Sequence, residues 1–116
     1  MVDVDIICLY NIIMKIITKY SCFELTIEIY HDYFILNNTI ENQSQSTHVL
    51  FSHISFLQLH NYDNSSSRLS SIEFIMKNDI KLKYLPNNKI YFSSPKECSF
   101  VFNALFTAYR TYQNKR

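Results

Sequence analysis

The sequence predicts an α+β fold that is mostly antiparallel β: about seven strands form a partly open barrel or sandwich, capped by one C-terminal amphipathic helix. Short apolar segments recur through residues 22–92, separated by runs rich in Asn, Ser and Asp. Residues 94–113 then carry apolar side chains at spacings of three and four, which is typical of an amphipathic helix. At 116 residues, the chain fits a single domain, 1–116.

Residues 1–20 are compatible with a strand or a helix, and their β-branched content favours a strand. The apolar stretch 6–17 is interrupted by Asn11 and Lys15, and it is shorter than the roughly 18 to 20 residues that span a bilayer. A transmembrane helix is therefore not expected. The chain starts with Asp3 and Asp5 rather than with the basic residues of a signal peptide, so we expect an intracellular protein, in the cytoplasm or nucleus.

Residues 23–30 give the clearest strand, because apolar residues alternate with polar ones along the segment. His31 and Asp32 indicate a short turn, and 33–36 a returning strand that ends at Asn37-Asn38. Residues 39–47 are polar without periodicity, which predicts a flexible loop.

The second half of the chain predicts further strands and an exposed loop. Residues 48–59 form one bent strand or two, and 61–67 form the loop. Strands then follow over 69–76, 80–84 and 89–92.

The C-terminal helix has the strongest start signal in the chain. Ser94 is a typical N-cap, Pro95 suits the first helical position, and Glu97 completes a capping box. One stripe of the helix is apolar, made by Cys98, Val101, Phe102, Leu105, Tyr109 and Tyr112.

The chain contains no glycine. Phosphate-binding loops, dinucleotide-binding turns and nucleophile elbows need glycine where the backbone turns sharply or approaches a ligand, so these site classes are excluded. Positive φ angles must then be adopted by Asn or Asp, the next most tolerant residues. We expect this role for asparagines at the predicted turns, namely Asn37, Asn38, Asn61, Asn78, Asn87 and Asn88.

The order of elements, an antiparallel meander followed by one capped helix, resembles the pleckstrin-homology-like fold of pleckstrin-homology, phosphotyrosine-binding, GRAM and EVH1 domains. The best local match is residues 89–112, which resemble the last strand, turn and helix of that fold. Phe102 stands in the helix where pleckstrin-homology domains carry tryptophan. A two-layer α+β fold and an OB-like barrel with a terminal helix are the alternatives.

The resemblance implies either lipid binding or protein docking. Phosphoinositide-binding members place several Lys and Arg around their first hairpin, whereas this chain has no Lys or Arg between Lys19 and Arg68. Specific phosphoinositide binding is therefore not expected. Members that lack the basic motif serve mostly as docking modules.

Basic residues gather later in the chain, where nine of them face three acidic ones between Arg68 and Arg116. If 80–84 is a strand, Lys81 and Lys83 share its solvent face, and Lys89 shares the corresponding face of the next strand. With Lys77 these residues form a candidate anion site for lipid or nucleic acid. A solvated strand face that discourages edge pairing is the favoured interpretation.

No catalytic or metal-binding constellation is evident, and no cofactor is expected. His31, His48, His53 and His60 are scattered, and His31 beside Asp32 indicates a solvated turn. Three cysteines without a CxxC spacing suggest neither a disulfide framework nor a zinc site. We expect Cys98, at the start of the apolar stripe, to be a buried structural thiol.

Phe100 lies off the apolar stripe of the helix, on a side shared with Asn103 and Thr107, with Arg110 nearby. An exposed aromatic side chain can mark a partner surface, and the alternative is that the N-terminal segment folds over it. The sequence therefore predicts a non-enzymatic protein-interaction module, an adaptor or complex subunit. It is expected to contact another protein or a second copy through a sheet edge, the N-terminal segment or the Phe100 region, and these four residues are the candidate interaction residues. The runner-up is a peripheral binder of anionic lipid or nucleic acid.

Overall fold

The computed structural model describes residues 2–5, 12–20, 23–40, 42–62 and 69–115. The first sheet contains five antiparallel strands in chain order: β1 (Val2–Asp5), β2 (Ile12–Tyr20), β3 (Phe23–Tyr30), β4 (Tyr33–Ile40) and β5 (Gln43–Leu50). The second contains three: β6 (Ile54–His60), β7 (Ser70–Met76) and β8 (Lys89–Phe92). One helix, α1 (Pro95–Asn114), follows. The predicted α+β class is confirmed, and the two sheets do not close into a barrel.

Strand β3 forms as its alternation predicts. Leu25, Ile27 and Ile29 are buried, whereas the Glu and Thr residues between them are partly exposed. The turn at His31 and Asp32 is also confirmed, with both residues exposed. The N-terminal region is β-strand over 12–20, the alternative that its β-branched residues favoured.

The predicted loop over 39–47 and the hairpin end at Asn37-Asn38 are wrong. Strand β4 continues to Ile40, and β5 begins at Gln43. Polar side chains pair across these strands: Ser46 Oγ donates to Asn37 Oδ1, and the Thr39 and Ser44 hydroxyls lie 3.1 Å apart. These paired strands carry polar side chains, so their composition is the same as that of a loop. The sequence therefore predicted a loop where the structure has two strands.

The residues at positive φ bear out the expectation for a chain without glycine. Asn78, Asn87 and Asn88 adopt φ of 56°, 60° and 55°, and Asn42 and Asp79 do so as well. Tyr84 is an unpredicted exception at φ 63°. The expectation is wrong for Asn37 and Asn38, which lie within β4, and for Asn61, because none of these three residues has a positive φ.

The predicted strand over 80–84 is also wrong. Residues 77–79 and 86–88 form short 3-10 turns, and the segment between them is irregular. The side chain of Asn88 binds this segment in place of a neighbouring strand: its Oδ1 accepts from Leu82 N at 2.8 Å, and its Nδ2 donates to Ile80 O at 3.0 Å. Ile80 and Leu82 still pack against the core, so the alternation reports burial and not sheet pairing.

A single hydrophobic core joins both sheets and the helix. Phe34 of the first sheet lies 5.4 Å, centroid to centroid, from Phe74 of the second and 5.6 Å from Phe51 between them. The helix contributes its buried stripe, Cys98, Val101, Leu105 and Tyr109. Burying each large apolar side chain contributes about 1.5–3 kcal/mol, so this stripe fixes the helix onto the sheets.

Polar contacts fix the ends of α1. Ser94 Oγ accepts a hydrogen bond from Glu97 N at 3.3 Å, and this confirms the predicted N-cap. Tyr109 donates its hydroxyl to Ile54 O at 2.9 Å and to Ser55 O at 3.0 Å. Near the N-terminal end of α1, Asn61 Nδ2, which directly follows β6, donates to Ser99 Oγ at 2.9 Å. Edge strand β6 therefore runs alongside the helix.

Among the described residues, none of the helices combines the length and the apolar character that a bilayer span requires.

Candidate functional site

An apolar groove of about 540 Å³ lies between α1 and the first sheet. The helix forms one wall with Phe100, Asn103 and Thr107 and with neighbours on the same face. These positions fall on one side of α1 because successive residues rotate by about 100° around the axis. Met14 of β2 and Ile29 of β3 form the other wall. The groove is lined by Met14, Ile29, His31, Phe100, Asn103, Ala104, Thr107, Ala108, Thr111 and Lys115.

Phe100 lines this groove with 42% of its full surface exposed. The alternative for this residue was a cover formed by the N-terminal segment. Residues 12–20 instead form a strand whose Met14 lines the opposite wall, and residues 6–11 lie outside the described residues. Phe100 contributes a partly exposed aromatic ring to the groove, and a cover by residues 6–11 stays an untested alternative.

Arg110 does not join the other three predicted interaction residues. It is not among the residues that line the groove, and its guanidinium carbon lies 5.9 Å from the centre of the Phe106 ring. Phe106 also stacks on Phe102, with a centroid distance of 5.6 Å. The spacing of four between Phe102, Phe106 and Arg110 is a helical signal that groups these three side chains.

The four candidate lysines do not form one strand face. Lys77, Lys81 and Lys83 are exposed in the irregular segment 77–88, whereas Lys89 is half-buried in β8 opposite Glu73. Lys81 lines a cavity of about 560 Å³ that also contains Glu73. A carboxylate inside the patch offsets part of the positive potential that an anion would need.

Glu73 also contacts His60, which the sequence did not predict to be part of a site. His60 Nε2 lies 2.9 Å from Glu73 Oε1 across the β6 and β7 strands, and each side chain is 26% exposed. This contact depends on how β6 and β7 are aligned in the sheet, and the spacing of residues in the sequence does not predict that alignment. Among the described residues, no three His, Cys, Asp or Glu side chains are grouped to hold a metal ion.

Cys98 is buried, as predicted. Burial raises the pKa of its thiol to about 12, from an ordinary value of 9.0. The helix N-terminus therefore does not produce a reactive thiolate at this position.

The outer face of the first sheet carries an aromatic stack that the sequence analysis missed. Tyr30 and Tyr33 stack with a centroid distance of 4.6 Å, and His48 extends the stack at 6.2 Å from Tyr33. Partial burial and the nearby Glu28 carboxylate raise the pKa of Tyr30 above its ordinary value. This face therefore favours the neutral phenol of Tyr30.

Comparison with family models, curated proteins and solved structures finds no match to this chain.

Proposed function

We propose that this chain is a non-enzymatic protein-interaction module that docks another protein in the groove between α1 and the first sheet. The observation that carries the proposal is Phe100, which lines an apolar groove and stays 42% exposed there. Aromatic side chains that are partly buried in an apolar depression are typical anchors of protein interfaces.

The architecture supports the proposal but does not identify the partner. A meander sheet, a second three-stranded sheet and a terminal helix form the arrangement expected of the pleckstrin-homology-like superfold, and we propose membership in that superfold on this basis. Fold alone does not fix function, so the docking role depends on the groove.

Binding of an anionic lipid or nucleic acid through Lys77, Lys81, Lys83 and Lys89 is the less supported alternative. The irregular conformation of 77–88 separates the lysines, and Glu73 lies beside two of them. No described feature of this loop favours a particular anion.

The decisive experiment is affinity capture from the native source, followed by identification of the bound proteins. Wild type is compared with Phe100→Asp and with a matched control, Phe106→Asp, on the same helix but outside the groove lining. The two phenylalanines are similarly exposed, at 42% and 39%. We expect Phe100→Asp to lose a partner that wild type and Phe106→Asp both retain.

Circular dichroism and thermal unfolding confirm that both variants are folded before capture. Equal recovery of every bound protein by wild type and Phe100→Asp contradicts docking in the groove. Capture is repeated at low and physiological salt, because binding through the lysines falls steeply with salt whereas apolar docking changes little. A salt-sensitive partner retained by Phe100→Asp supports the alternative.

A further inference from the structure

We infer that the occupant of the groove is an amphipathic α-helix of the partner, which runs antiparallel to α1 and carries an acidic residue in its first turn. The inference rests on the proposed function and adds the chemistry of the partner. Three features of the groove support it: the backbone pairing of its walls, its length and the position of its charge.

The walls favour a helix over an extended peptide. Met14 and Ile29 are register partners in neighbouring strands, so the sheet wall is a strand face and not an open edge. Strand β3 is itself paired on both sides, with β2 and β4. An extended peptide in this groove finds no row of backbone groups to pair with, whereas a helix satisfies its own backbone hydrogen bonds.

The groove is long, and small side chains line the centre of its helical wall. The lining positions on α1 extend from Phe100 to Lys115, which corresponds to about 22 Å at 1.5 Å per residue. Ala104 and Ala108, one turn apart, line its centre. Small side chains at a helix contact let the two axes approach within about 8–10 Å, so a partner helix of about four turns fits along this wall.

Charge sets the direction of the partner helix. Of the described lining residues, Lys115 is the one with a full formal charge at neutral pH, with His31 the other ionisable group. Lys115 lies at the C-terminal end of α1 and is exposed. An antiparallel partner helix places its positive N-terminal end beside the negative C-terminal end of α1, and an Asp or Glu in its first turn then faces the lysine.

A phage library of random 16-residue peptides tests the inference when it is panned on the wild-type protein and counter-selected on Phe100→Asp. We expect enriched peptides with apolar residues at i, i+3 or i+4 and i+7, and with Asp or Glu near the N-terminus. A synthetic peptide of the enriched sequence should gain helix on binding by circular dichroism. By calorimetry, Phe100→Asp should weaken its binding more than about tenfold, and Phe106→Asp should leave it unchanged.

Lys115→Glu tests the charge separately. It should weaken binding of the acidic peptide about fivefold at low salt, and the difference should shrink at high salt. Lys83→Glu makes the same charge change in the 77–88 segment and should have little effect.

Several results overturn the inference. Selection of extended or proline-rich peptides, no peptide that distinguishes wild type from Phe100→Asp, or equal binding by wild type and Lys115→Glu would each do so. A concentration-dependent dimer of the wild type that Phe100→Asp abolishes identifies a second copy as the occupant and also refutes it. The proposed function survives these results if affinity capture still finds a partner that depends on Phe100.

Discussion

Replacing Tyr109 by Phe tests how α1 is held against the second sheet. The Tyr109 hydroxyl donates to the carbonyl oxygens of Ile54 and Ser55, at 2.9 and 3.0 Å. The substitution keeps the ring and its contact with Phe51, 6.0 Å away between centroids, and removes only the hydroxyl. Any change in stability therefore reports the polar anchor and not the loss of packing.

The two carbonyl groups respond differently when the hydroxyl is lost. Ile54 is buried, so its carbonyl loses a partner that water does not easily replace, at a cost of about 1–3 kcal/mol. Ser55 is exposed, and water can hydrate its carbonyl. We expect the free energy of unfolding to fall by about 1.5–2.5 kcal/mol. At about 4 °C per kcal/mol for a domain of this size, Tm falls by about 6–10 °C.

Urea denaturation followed by circular dichroism measures the change, and thermal unfolding gives Tm independently. Tyr91→Phe is the matched control, because Tyr91 lies in β8 with 46% of its surface exposed. The control should stay within about 0.5 kcal/mol of wild type. A Tyr109→Phe variant that also stays within about 0.5 kcal/mol would refute the view that this hydroxyl anchors the helix to edge strand β6.

Three further predictions concern the cap, the thiol and the strained loop. Ser94→Ala removes the N-cap hydrogen bond and should lower the free energy of unfolding by about 1 kcal/mol, with Ser93→Ala as the neutral control in urea denaturation. Burial raises the pKa of the Cys98 thiol from 9.0 to about 12. The neutral buried thiol therefore contributes fully to the free energy of unfolding below about pH 9, and this contribution is lost as pH rises towards 12. Alkylation by iodoacetamide, resolved by peptide mass spectrometry, should therefore modify Cys98 at pH 9 only when the chain is unfolded; rapid labelling of the folded protein contradicts this. Tyr84→Gly should raise the free energy of unfolding by about 0.5 kcal/mol, because the strain energy relieved at this left-handed residue exceeds the cost of the extra entropy that glycine gives the unfolded chain. Tyr91→Gly in β8, where no such strain is relieved, should lower the free energy of unfolding. Destabilisation by both glycine variants would show that Tyr84 is not strained.

The sequence predicted well where local chemistry decides the structure. Ser94 and Pro95 indicated the helix start because capping depends on neighbours three residues away. Strand β3 was predicted because residues 24–30 alternate between a partly exposed face and a buried face. Strand β5 could not be predicted in this way, because its first four residues are all polar and exposed and their partners lie on another strand.

The candidate site could be predicted only in part, for a related reason. The off-stripe position of Phe100 followed from helical periodicity, and so did the shared side of Asn103 and Thr107. The facing wall, Met14 and Ile29, is supplied by strands more than seventy residues away in the chain. No spacing in the sequence brings these side chains together, because the contact depends on how α1 packs on the first sheet.

By itself, the sequence determined that this chain is an α+β protein in which Asn and Asp occupy most of the described positions with positive φ, since without glycine few other residues tolerate that backbone. Only the tertiary structure decided that residues 77–88 form a loop held by hydrogen bonds from the Asn88 side chain, and that an apolar groove lies beside Phe100. Backbone tolerance and helix capping are properties of a few neighbouring residues. The loop and the groove depend on hydrogen bonds and packing between distant segments, and these exist only once the chain has folded.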